Sequence, residues 1–392
     1  MSDITITDSI LYVGSDDKTI DLFESQYPVP NGVSYNSYVI MDEKIAVMDS
    51  VDERAAAGWL RNLEKALNGR TPDYLIISHM EPDHAGSIRV LAEKYPSVQF
   101  VGNKKTFQMI EQFFELDMSE KMVEVKEGDT LSLGSHTLQF FMAPMVHWPE
   151  VMVEYEQSEK VLFSADGFGK FGALDTNEEW ASEARRYYFN IVGKYGAQVQ
   201  ALLKKAAGLD ISIICPLHGP VLKENLEYYI GKYQIWSSYE PEDEGIVIAY
   251  ASIHGNTKKA AEKLAEILEK KGAKKIILTD LARDDMAEAV GNAFQYDKLV
   301  VASATYDGGI FPCGEEFLLH LKSKNFQKRT IGFMENGSWA PMAGKLMKAI
   351  CEPMKEVTIV EPVVTIKSSV KADTIEAMEQ LADALLNERE SG

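Results

Sequence analysis

Hydrophobic residues in this chain form short continuous runs that end at glycine, proline or a polar side chain. Residues 74–77, 138–145, 161–165 and 211–216 in the first half are of this kind. Short apolar runs bounded in this way are typical of buried strands. They predict an α/β protein in which several strand ends are followed directly by polar residues.

The second half alternates such runs with amphipathic segments. Residues 246–250 form an apolar run, and the next segment has apolar residues at helical spacing: Ala260, Ala261, Leu264, Ile267 and Leu268. Further strands are predicted at residues 275–278, 298–302, 330–334 and 358–360. This alternation predicts a doubly wound parallel sheet, which binds its ligand beyond the carboxyl ends of the strands.

Four potential metal ligands come directly after the run 74–77: His79, Glu81, Asp83 and His84. Pro82 disfavours an ordinary helix through them, so we expect a loop from which alternate side chains can converge. The alternative interpretation is a solvated polar turn that contains two histidines.

Three later residues also follow predicted strands, each with glycine or proline within three residues: His147, Asp166 and His218. Taken singly, each is more often a capping or hydrogen-bonded residue than a ligand. Together with the first four they predict one shared metal site. His136 and His320 lack this context, and we interpret them as ordinary core or surface histidines.

The ligand types narrow the choice of metal. A set of imidazoles and carboxylates is harder and more negative than the all-histidine or cysteine-rich sets that suit structural zinc. Mixed shells with open positions suit iron, and clustered carboxylates can bridge two ions.

The spacing His79-x-Glu81-x-Asp83-His84, with the three later residues, resembles the diiron centre of the flavodiiron proteins (A-type flavoproteins). Zinc hydrolases of the same fold have histidine where this chain has Glu81, and an anionic ligand there favours a redox-active iron pair. The resemblance implies an N-terminal metallo-β-lactamase-like αβ/βα sandwich that holds two iron ions, followed by a flavodoxin-like domain.

The resemblance also implies how the ligands are shared. One iron would be bound by His79, Glu81 and His147, the other by Asp83, His84 and His218, with Asp166 bridging them. Relatives differ in whether the histidine at position 84 reaches the metal. Glu150 and Val151 depart from the commoner Asp and Ser of the family, and this departure does not indicate a substrate.

The second half contains the phosphate-binding turn that the resemblance implies. A strand–turn–helix junction can direct backbone N–H groups at a phosphate, and its candidate residues are Ser252, His254, Gly255, Asn256 and Thr257. No lysine follows the glycine in the P-loop pattern, so the monophosphate of FMN fits better than a nucleoside triphosphate. For His254 the alternative is simple exposure on the loop.

Two later strand ends resemble the loops that hold the isoalloxazine ring in flavodoxins. The first comprises Ser303, Ala304, Thr305, Tyr306, Asp307 and Gly308, and the second Asn336, Gly337, Ser338 and Trp339. Tyr306 and Trp339 are the candidate stacking partners. Either loop alone would be ordinary turn composition, but three at successive strand ends favour FMN. The G-x-G-x-x-G match at residues 167–172 continues as a loop, so we assign no nicotinamide site.

Composition agrees with two soluble domains. The chain has 392 residues, 45% of them hydrophobic, and its character changes after the acidic stretch 239–244, so we predict domains over residues 1–243 and 244–392. Sixty acidic against 40 basic residues give a net charge of −20, which argues against nucleic acid or an anionic membrane as a partner. Three isolated cysteines and the lack of a leader or membrane-spanning run predict a cytoplasmic protein.

The resemblance implies an oxidoreductase that reduces dioxygen to water at the diiron centre. Its electrons would pass through FMN from an external carrier such as rubredoxin, since the chain has no C-x-x-C pair and ends one helix after the second sheet. A head-to-tail homodimer, or a dimer of such dimers, would bring the flavin of one chain to the irons of the other. The alternatives are a nitric oxide reductase forming nitrous oxide, a metallo-β-lactamase-type hydrolase and a simple electron carrier.

Overall fold

The computed structural model describes residues 5–116 and 120–387, which form two compact units. The first unit comprises Met1–Tyr188 and Ala197–Gln234, and the second comprises Phe189–Gly196 and Ile235–Gly392. The predicted domain boundary between residues 243 and 244 stays a prediction.

Short strands dominate the chain up to residue 237. They are β1 (Ile10–Tyr12), β2 (Ser15–Asp17), β3 (Leu22–Phe23), β4 (Tyr27–Pro28), β5 (Val33–Tyr35), β6 (Tyr38–Ile40), β7 (Ala46–Met48), β8 (Tyr74–Ile76), β9 (Gln99–Gly102), β10 (Met122–Glu124), β11 (Thr130–Ser132), β12 (Thr137–Met142), β13 (Met152–Glu156), β14 (Val161–Phe163) and β15 (Ile213–Cys215). The helices are α1 (Ala56–Leu67), α2 (Pro82–Ala85), α3 (Ile88–Lys94), α4 (Lys104–Phe113), α5 (Trp180–Ile191), α6 (Gly196–Ala206) and α7 (Leu226–Ser237), with 3₁₀ turns at Glu53–Ala55 and Gly193–Tyr195.

The strands of the first unit form two principal sheets. One has the order β1-β6-β7-β8-β9-β10 and the other the order β11-β12-β13-β14-β15. One apolar core joins them, because Tyr38, Met48 and Ile76 of the first sheet cluster with Phe140 and Phe163 of the second. Two sheets that share a core in this way make the predicted sandwich.

The second unit continues the chain with longer elements. Its strands are β16 (Asp243–Ala251), β17 (Ile276–Asp280), β18 (Tyr296–Tyr306), β19 (Gly309–Ile310), β20 (Arg329–Asn336), β21 (Val357–Ile359) and β22 (Val364–Ile366). Its helices are α8 (Asn256–Lys270), α9 (Met286–Gln295), α10 (Pro312–Ser323), α11 (Ala343–Cys351) and α12 (Ala372–Asn387).

The main sheet of this unit has the order β17-β16-β18-β20-β21, and its strands are parallel along this path. The chain starts at β16 and builds outward in both directions, as doubly wound sheets do. Helix α12 packs closely on β20, since a Cβ added at Gly332 would lie 2.9 Å from a methyl carbon of Leu381. The predicted doubly wound fold is therefore confirmed.

Three details differ from the sequence predictions. Pro82 does not exclude a helix: it occupies the first position of α2, where a missing N–H costs nothing. Strand β22 (Val364–Ile366) was not predicted. Strand β16 begins at Asp243, inside the acidic stretch that was expected to precede it.

Candidate metal centre

The first four candidate ligands follow β8, whose neighbours β7 and β9 are parallel to it. His79 and Glu81 lie in the connection after the strand, whereas Asp83 and His84 lie in the single turn of α2. The expected all-loop arrangement is therefore wrong for the last two. Because α2 starts at Pro82, the chain reverses sharply there and both pairs of side chains face the same region.

The later ligands come from the ends of the second sheet. Asp166 follows β14 and His218 follows β15, and these strands are parallel neighbours with Phe163 opposite Cys215. Parallel neighbours direct their following loops to the same edge of a sheet. His147 lies in the turn between β12 and β13, so three separate connections contribute to the cluster.

His79, Glu81, His147 and Asp166 form the first group, with one ligand atom from each lying within 4.8 Å of the others. The Nε2 atom of His147 is 2.9 Å from Glu81 Oε2 and 3.2 Å from Asp166 Oδ2. The Nε2 atom of His79 is 3.2 Å and 3.4 Å from the same two oxygens. Two imidazoles and two carboxylates thus converge on one point.

Asp83, His84 and His218 form the second group. The Nε2 atoms of His84 and His218 are 3.0 Å apart and lie 3.2 Å and 3.1 Å from Asp83 Oδ2. Asp166 reaches this group with its other oxygen, since Oδ1 is 3.2 Å from His84 Nε2. A carboxylate whose two oxygens face two imidazole groups has the geometry of a bridging ligand.

The donor set fits two cations. His79, His84 and His218 are at most 1% exposed, and the carboxylate oxygens of Asp83 and Oδ1 of Asp166 are buried without a hydrogen-bond partner. Leaving a buried carboxylate oxygen unpaired is costly. A positive ion between each pair of imidazoles would satisfy these oxygens and accept the Nε2 lone pairs.

Electrostatics agree with this fit. Burial opposes charge on Asp166, but the neighbouring His79, His147 and His84 outweigh it and hold the pKa of this carboxyl well below its usual range. Burial likewise opposes charge on the imidazoles, yet Asp83 and Asp166 raise the pKa of His84 to about 10. Hydrogen bonds to Asp166 and Glu81 raise the pKa of His147 to about 9. The carboxylates thus favour positive charge, which protons or metal ions can supply.

Glu150 supports the first group, and sequence reasoning did not assign it this role. Its Oε1 accepts hydrogen bonds from His79 Nδ1 and from the Met80 backbone N–H, both at 2.8 Å, and the residue is fully buried. Because Nδ1 donates to the carboxylate, Nε2 of His79 is left to face the cluster. A lone acidic residue in the apolar segment after Pro149 was the available signal.

The second group is supported by weaker partners. His218 Nδ1 donates to the backbone oxygen of Ser34 at 2.7 Å, whereas His84 Nδ1 is buried and has no hydrogen-bond partner among the described residues. The rings of Phe23, Tyr35 and Tyr187 lie 5.5–6.1 Å from that of His218 and restrict its orientation. Packing thus replaces part of what a carboxylate does for His79.

A buried carboxyl pair, Asp49 and Glu154, lies directly behind the loop that begins at Ser78. Ser78 Oγ is 2.6 Å from Asp49 Oδ2 and 2.9 Å from Glu154 Oε2, and its N–H donates to Asp49. Burial raises the pKa of Asp49 to about 6, and burial and Asp49 together raise that of Glu154 well above its usual range. Burial thus disfavours charge on both carboxyls, and their hydrogen bonds with Ser78 anchor the loop.

Left-handed backbone conformations recur beside the ligand loops. Asp49, Met145 and Ala165 have φ values of 54°, 66° and 48°. Such conformations are costly for residues other than glycine and cluster at functional sites. Met145 turns the chain two residues before His147, and Ala165 turns it directly before Asp166.

The three predicted flavin loops lie at one edge of the second unit's sheet. Ala251 of β16 is opposite Ser303 of β18, and Ala304 is opposite Asn336 of β20. The segments that follow are therefore neighbours at the carboxyl ends of three adjacent strands. This is the position at which doubly wound sheets bind their ligands.

The loop residues divide into two kinds. Several are engaged within the fold: Ser252 Oγ accepts from the Gly255 N–H, Thr305 Oγ1 accepts from the first N–H groups of α11, and Asn336 exchanges two hydrogen bonds with Ser368. Ser303 is fully buried, with its hydroxyl bonded to its own loop. These residues shape the edge.

Of the other predicted residues, Thr257 and Ala304 are buried and Asn256 and Gly337 are half-buried, and the rest are accessible to a ligand. Trp339 and Tyr306 are 83% and 46% exposed, His254, Asp307, Gly308 and Ser338 are also exposed, and Gly255 begins α8 with φ +87°. Ile253, which the sequence reasoning did not single out, is 39% exposed beside them. Two exposed aromatic rings and a helix N-terminus at one edge fit an aromatic phosphate ester such as FMN.

Comparison with known proteins agrees with this arrangement. The model of the ODP family beta lactamase matches residues 33–219, and that of the flavodoxin domain matches residues 247–379. The structure of rubredoxin oxygen:oxidoreductase from Desulfovibrio gigas aligns with a TM-score of 0.91 and 26% identity over 98% of both chains. The chain belongs to the flavodiiron proteins.

Flavodiiron proteins have FMN in the flavodoxin domain and a diiron centre in the metallo-β-lactamase-like domain, and members of the family reduce dioxygen or nitric oxide. The anaerobic nitric oxide reductase flavorubredoxin of Vibrio vulnificus is 28% identical over 86% of this chain and 70% of the relative. Diflavin flavoprotein A 1 of Synechocystis is 30% identical over 74% of this chain, but the match spans only 52% of that relative. Across the described residues, no helix has the length and apolar character needed to cross a membrane.

Proposed function

We propose that this flavodiiron protein reduces dioxygen to water with electrons relayed through FMN from an external carrier such as rubredoxin. The proposal rests on one observation: the two oxygens of Asp166 face two separate imidazole groups, each with its own carboxylate. When bound, the iron pair and the flavin supply two electrons each, and four electrons with four protons convert one dioxygen to two waters.

The chain's own residues hold the metals. His79, Glu81 and His147 would bind one iron, Asp83, His84 and His218 the other, and Asp166 both. Since the imidazoles bind through neutral nitrogen, loading the site releases the protons that the carboxylates otherwise retain on His84 and His147. Glu150 fixes the orientation of His79, and the ring of Trp148, 5.3 Å away, shields it.

Nitric oxide reduction is the second candidate. Two electrons and two protons convert two nitric oxide molecules to nitrous oxide and water, so the iron pair alone would suffice. The similarity to a relative named as an anaerobic nitric oxide reductase favours this reaction. The capacity for four electrons favours dioxygen as the substrate, because the reduction of one dioxygen to two waters uses all four electrons.

Two other classes are separable by chemistry. A zinc hydrolase would not need the anionic Glu81, and it predicts bound zinc with ester or amide turnover. An electron carrier predicts flavin cycling that does not depend on Glu81 or His147. Two adjacent groups of imidazoles and carboxylates, with buried oxygens of Asp83 and Asp166 that lack a hydrogen-bond partner among the described residues, favour a metal-dependent oxidoreductase over both.

The test is gas consumption by purified, iron-loaded protein with chemically reduced rubredoxin. Oxygen and nitric oxide electrodes are run side by side, and added catalase reports any peroxide. Rapid oxygen loss with no catalase effect would support the proposal, and faster loss of nitric oxide would favour the second candidate. If neither gas is consumed while iron and FMN are present, the reductase assignment fails.

We also propose the head-to-tail homodimer that the family resemblance implies. It can be tested by mixing two inactive chains, Asp166→Asn and Gly255→Val, since a β-branched side chain is strained at the φ of +87°. Activity that returns on mixing would support electron transfer between chains. A fully active monomer in light scattering would contradict it.

A further inference from the structure

An apolar pocket of about 290 Å³ lies within the first unit, between the second sheet and helices α6 and α7. Its inner wall is buried and includes Val146, Gly167 and Phe168, and its rim includes half-buried Leu202 and Ala206 of α6. The pocket thus leads from the surface of the unit to the back of two loops. None of the candidate metal ligands is among the residues that line the pocket.

Those two loops are the ones that hold His147 and Asp166. Val146 directly precedes His147, and Gly167 directly follows Asp166, the residue that faces both groups. The inner end of the pocket is therefore one residue along the chain from each of two predicted ligands. Another wall residue, Ile214, belongs to β15, which leads to His218.

Two polar side chains that line the pocket, Ser164 and Lys205, are already bonded to the protein. Ser164 Oγ donates to the Gly167 oxygen at 2.7 Å, and Lys205 Nζ lies 2.9 Å from Glu127 Oε2 and 2.9 Å from the Met142 oxygen. Glu227 is exposed at the rim. Lys205 is thus paired already and does not offer a free cation to an acidic ligand, so the lining favours an uncharged apolar occupant.

We propose that this pocket takes up the uncharged diatomic substrate, dioxygen or nitric oxide, and raises its concentration beside the metal loops. This inference rests on the proposed function. An engineered apolar cavity of about 150 Å³ stays dry and binds xenon or benzene, so a lining of this type and size is adequate for a gas molecule. Dioxygen and nitric oxide are too small to make many specific contacts. Uptake into an apolar pocket does not require such contacts.

The pocket can be tested with xenon and with one substitution. Crystals of the iron- and FMN-loaded protein are pressurised with xenon, and the substitution Ala206→Phe fills the rim. We expect xenon in the pocket of the native protein and not in the variant. The KM for the gas should rise about tenfold with kcat unchanged, since filling the pocket removes uptake of the gas but not the reaction at the metal.

The matched control is Ala201→Phe, an exposed position on the same helix that does not line the pocket. Leu202→Trp provides a second variant that fills the pocket if Ala206→Phe fails to fold. The iron and FMN contents of each variant show whether it has folded. An unchanged KM in the filled variants, or no xenon in the native pocket, would overturn the inference while leaving the reductase assignment intact. Displacement of xenon by micromolar fatty acid would also overturn it, because the occupant would then be an acyl chain. Xenon binding in a protein that consumes neither gas would instead refute the proposed function.

Discussion

The two halves of the metal centre are held in place by different means. In the first group an anionic carboxylate, Glu150, accepts the Nδ1 hydrogen of His79. In the second, His218 has a neutral backbone oxygen and His84 Nδ1 has no partner. A carboxylate partner makes an imidazole a stronger electron donor than a carbonyl does. The two ions should therefore differ in affinity and in ease of oxidation, although their ligand atoms are nearly the same.

Asp166 is the one residue common to both halves, and its removal should have the largest effect. We expect Asp166→Asn to lose both irons and all gas consumption, because an amide neither supplies charge nor bridges with two anionic oxygens. Loss of a supporting residue typically costs about 10–100-fold in metal affinity, and loss of a shared ligand should exceed this. Metal analysis after dialysis gives the iron content. The control is Asp175→Asn, an exposed carboxylate paired with Lys18.

Glu150→Gln should separate the two halves. We expect it to weaken iron binding in the first group by about 10–100-fold and to leave the second nearly unchanged, since only His79 loses its anionic partner. Mössbauer spectra of partly loaded protein distinguish the two irons. Glu154→Gln is the control, a buried carboxyl that accepts a hydrogen bond from Ser78 and bonds to no imidazole among the described residues. Equal loss from both groups would contradict the assigned role of Glu150.

His84→Ala should weaken the second group less than His218→Ala does. His84 has no Nδ1 partner to fix its ring, whereas His218 is fixed by Ser34 and three aromatic rings. We expect about a tenfold difference in iron retention between the two variants. His136→Ala, a buried histidine bonded to Asp42 outside the cluster, tests for a general effect of removing an imidazole. Identical iron contents in the two variants would contradict the expected difference between His84 and His218 as ligands.

The side chains that converge in both halves could be named from the sequence, but the residues that support them could not. Glu81, Asp83 and Asp166 could be recognised because each follows an apolar run that predicts a buried strand. A carboxylate near the end of such a strand needs a positively charged partner. Glu150 was visible as a lone acidic residue after Pro149 and as a departure from the family pattern, but its contact with His79 spans 71 positions of sequence and could not be predicted. Ser34 contributes a backbone oxygen, which no side-chain pattern can reveal.

The fold shows the same limit. Strands in the second unit were predictable because continuous burial produces long apolar runs, and β16, β18 and β20 were all found. The turn at Pro82 was misjudged, because the same residue that interrupts a helix also begins one. The three-residue β22 follows no periodicity, and its pairing with β20 depends on tertiary contacts.

Metal removal should reveal the imidazole charges through pH. In the metal-free protein the pKa values of His84 and His147 are about 10 and about 9, against about 6.5 in an unfolded chain. Their contribution to stability is thus complete below about pH 6.5 and is lost as pH rises through 9 and 10. We expect the melting temperature of the metal-free protein to fall by several degrees between pH 8 and 10, since each kcal/mol shifts it by about 2–4 °C in a unit of roughly 150–250 residues. The melting temperature of the metal-loaded protein should depend less on pH, since its imidazoles are already neutral. Parallel plots of melting temperature against pH for the two forms would refute this.

The smallest effect is expected away from the metal, at the flavin edge. Because Trp339 is 83% exposed, Trp339→Ala should leave stability and iron content unchanged. An aromatic stacking pair contributes about 0.5–1.5 kcal/mol, so FMN affinity should fall by about threefold to tenfold. Fluorescence titration of the flavin-free protein measures this, with Leu319→Ala as an exposed apolar control on α10. A loss of iron in the Trp339 variant would show that the two sites are not independent, whereas unchanged FMN binding would remove Trp339 as a stacking partner.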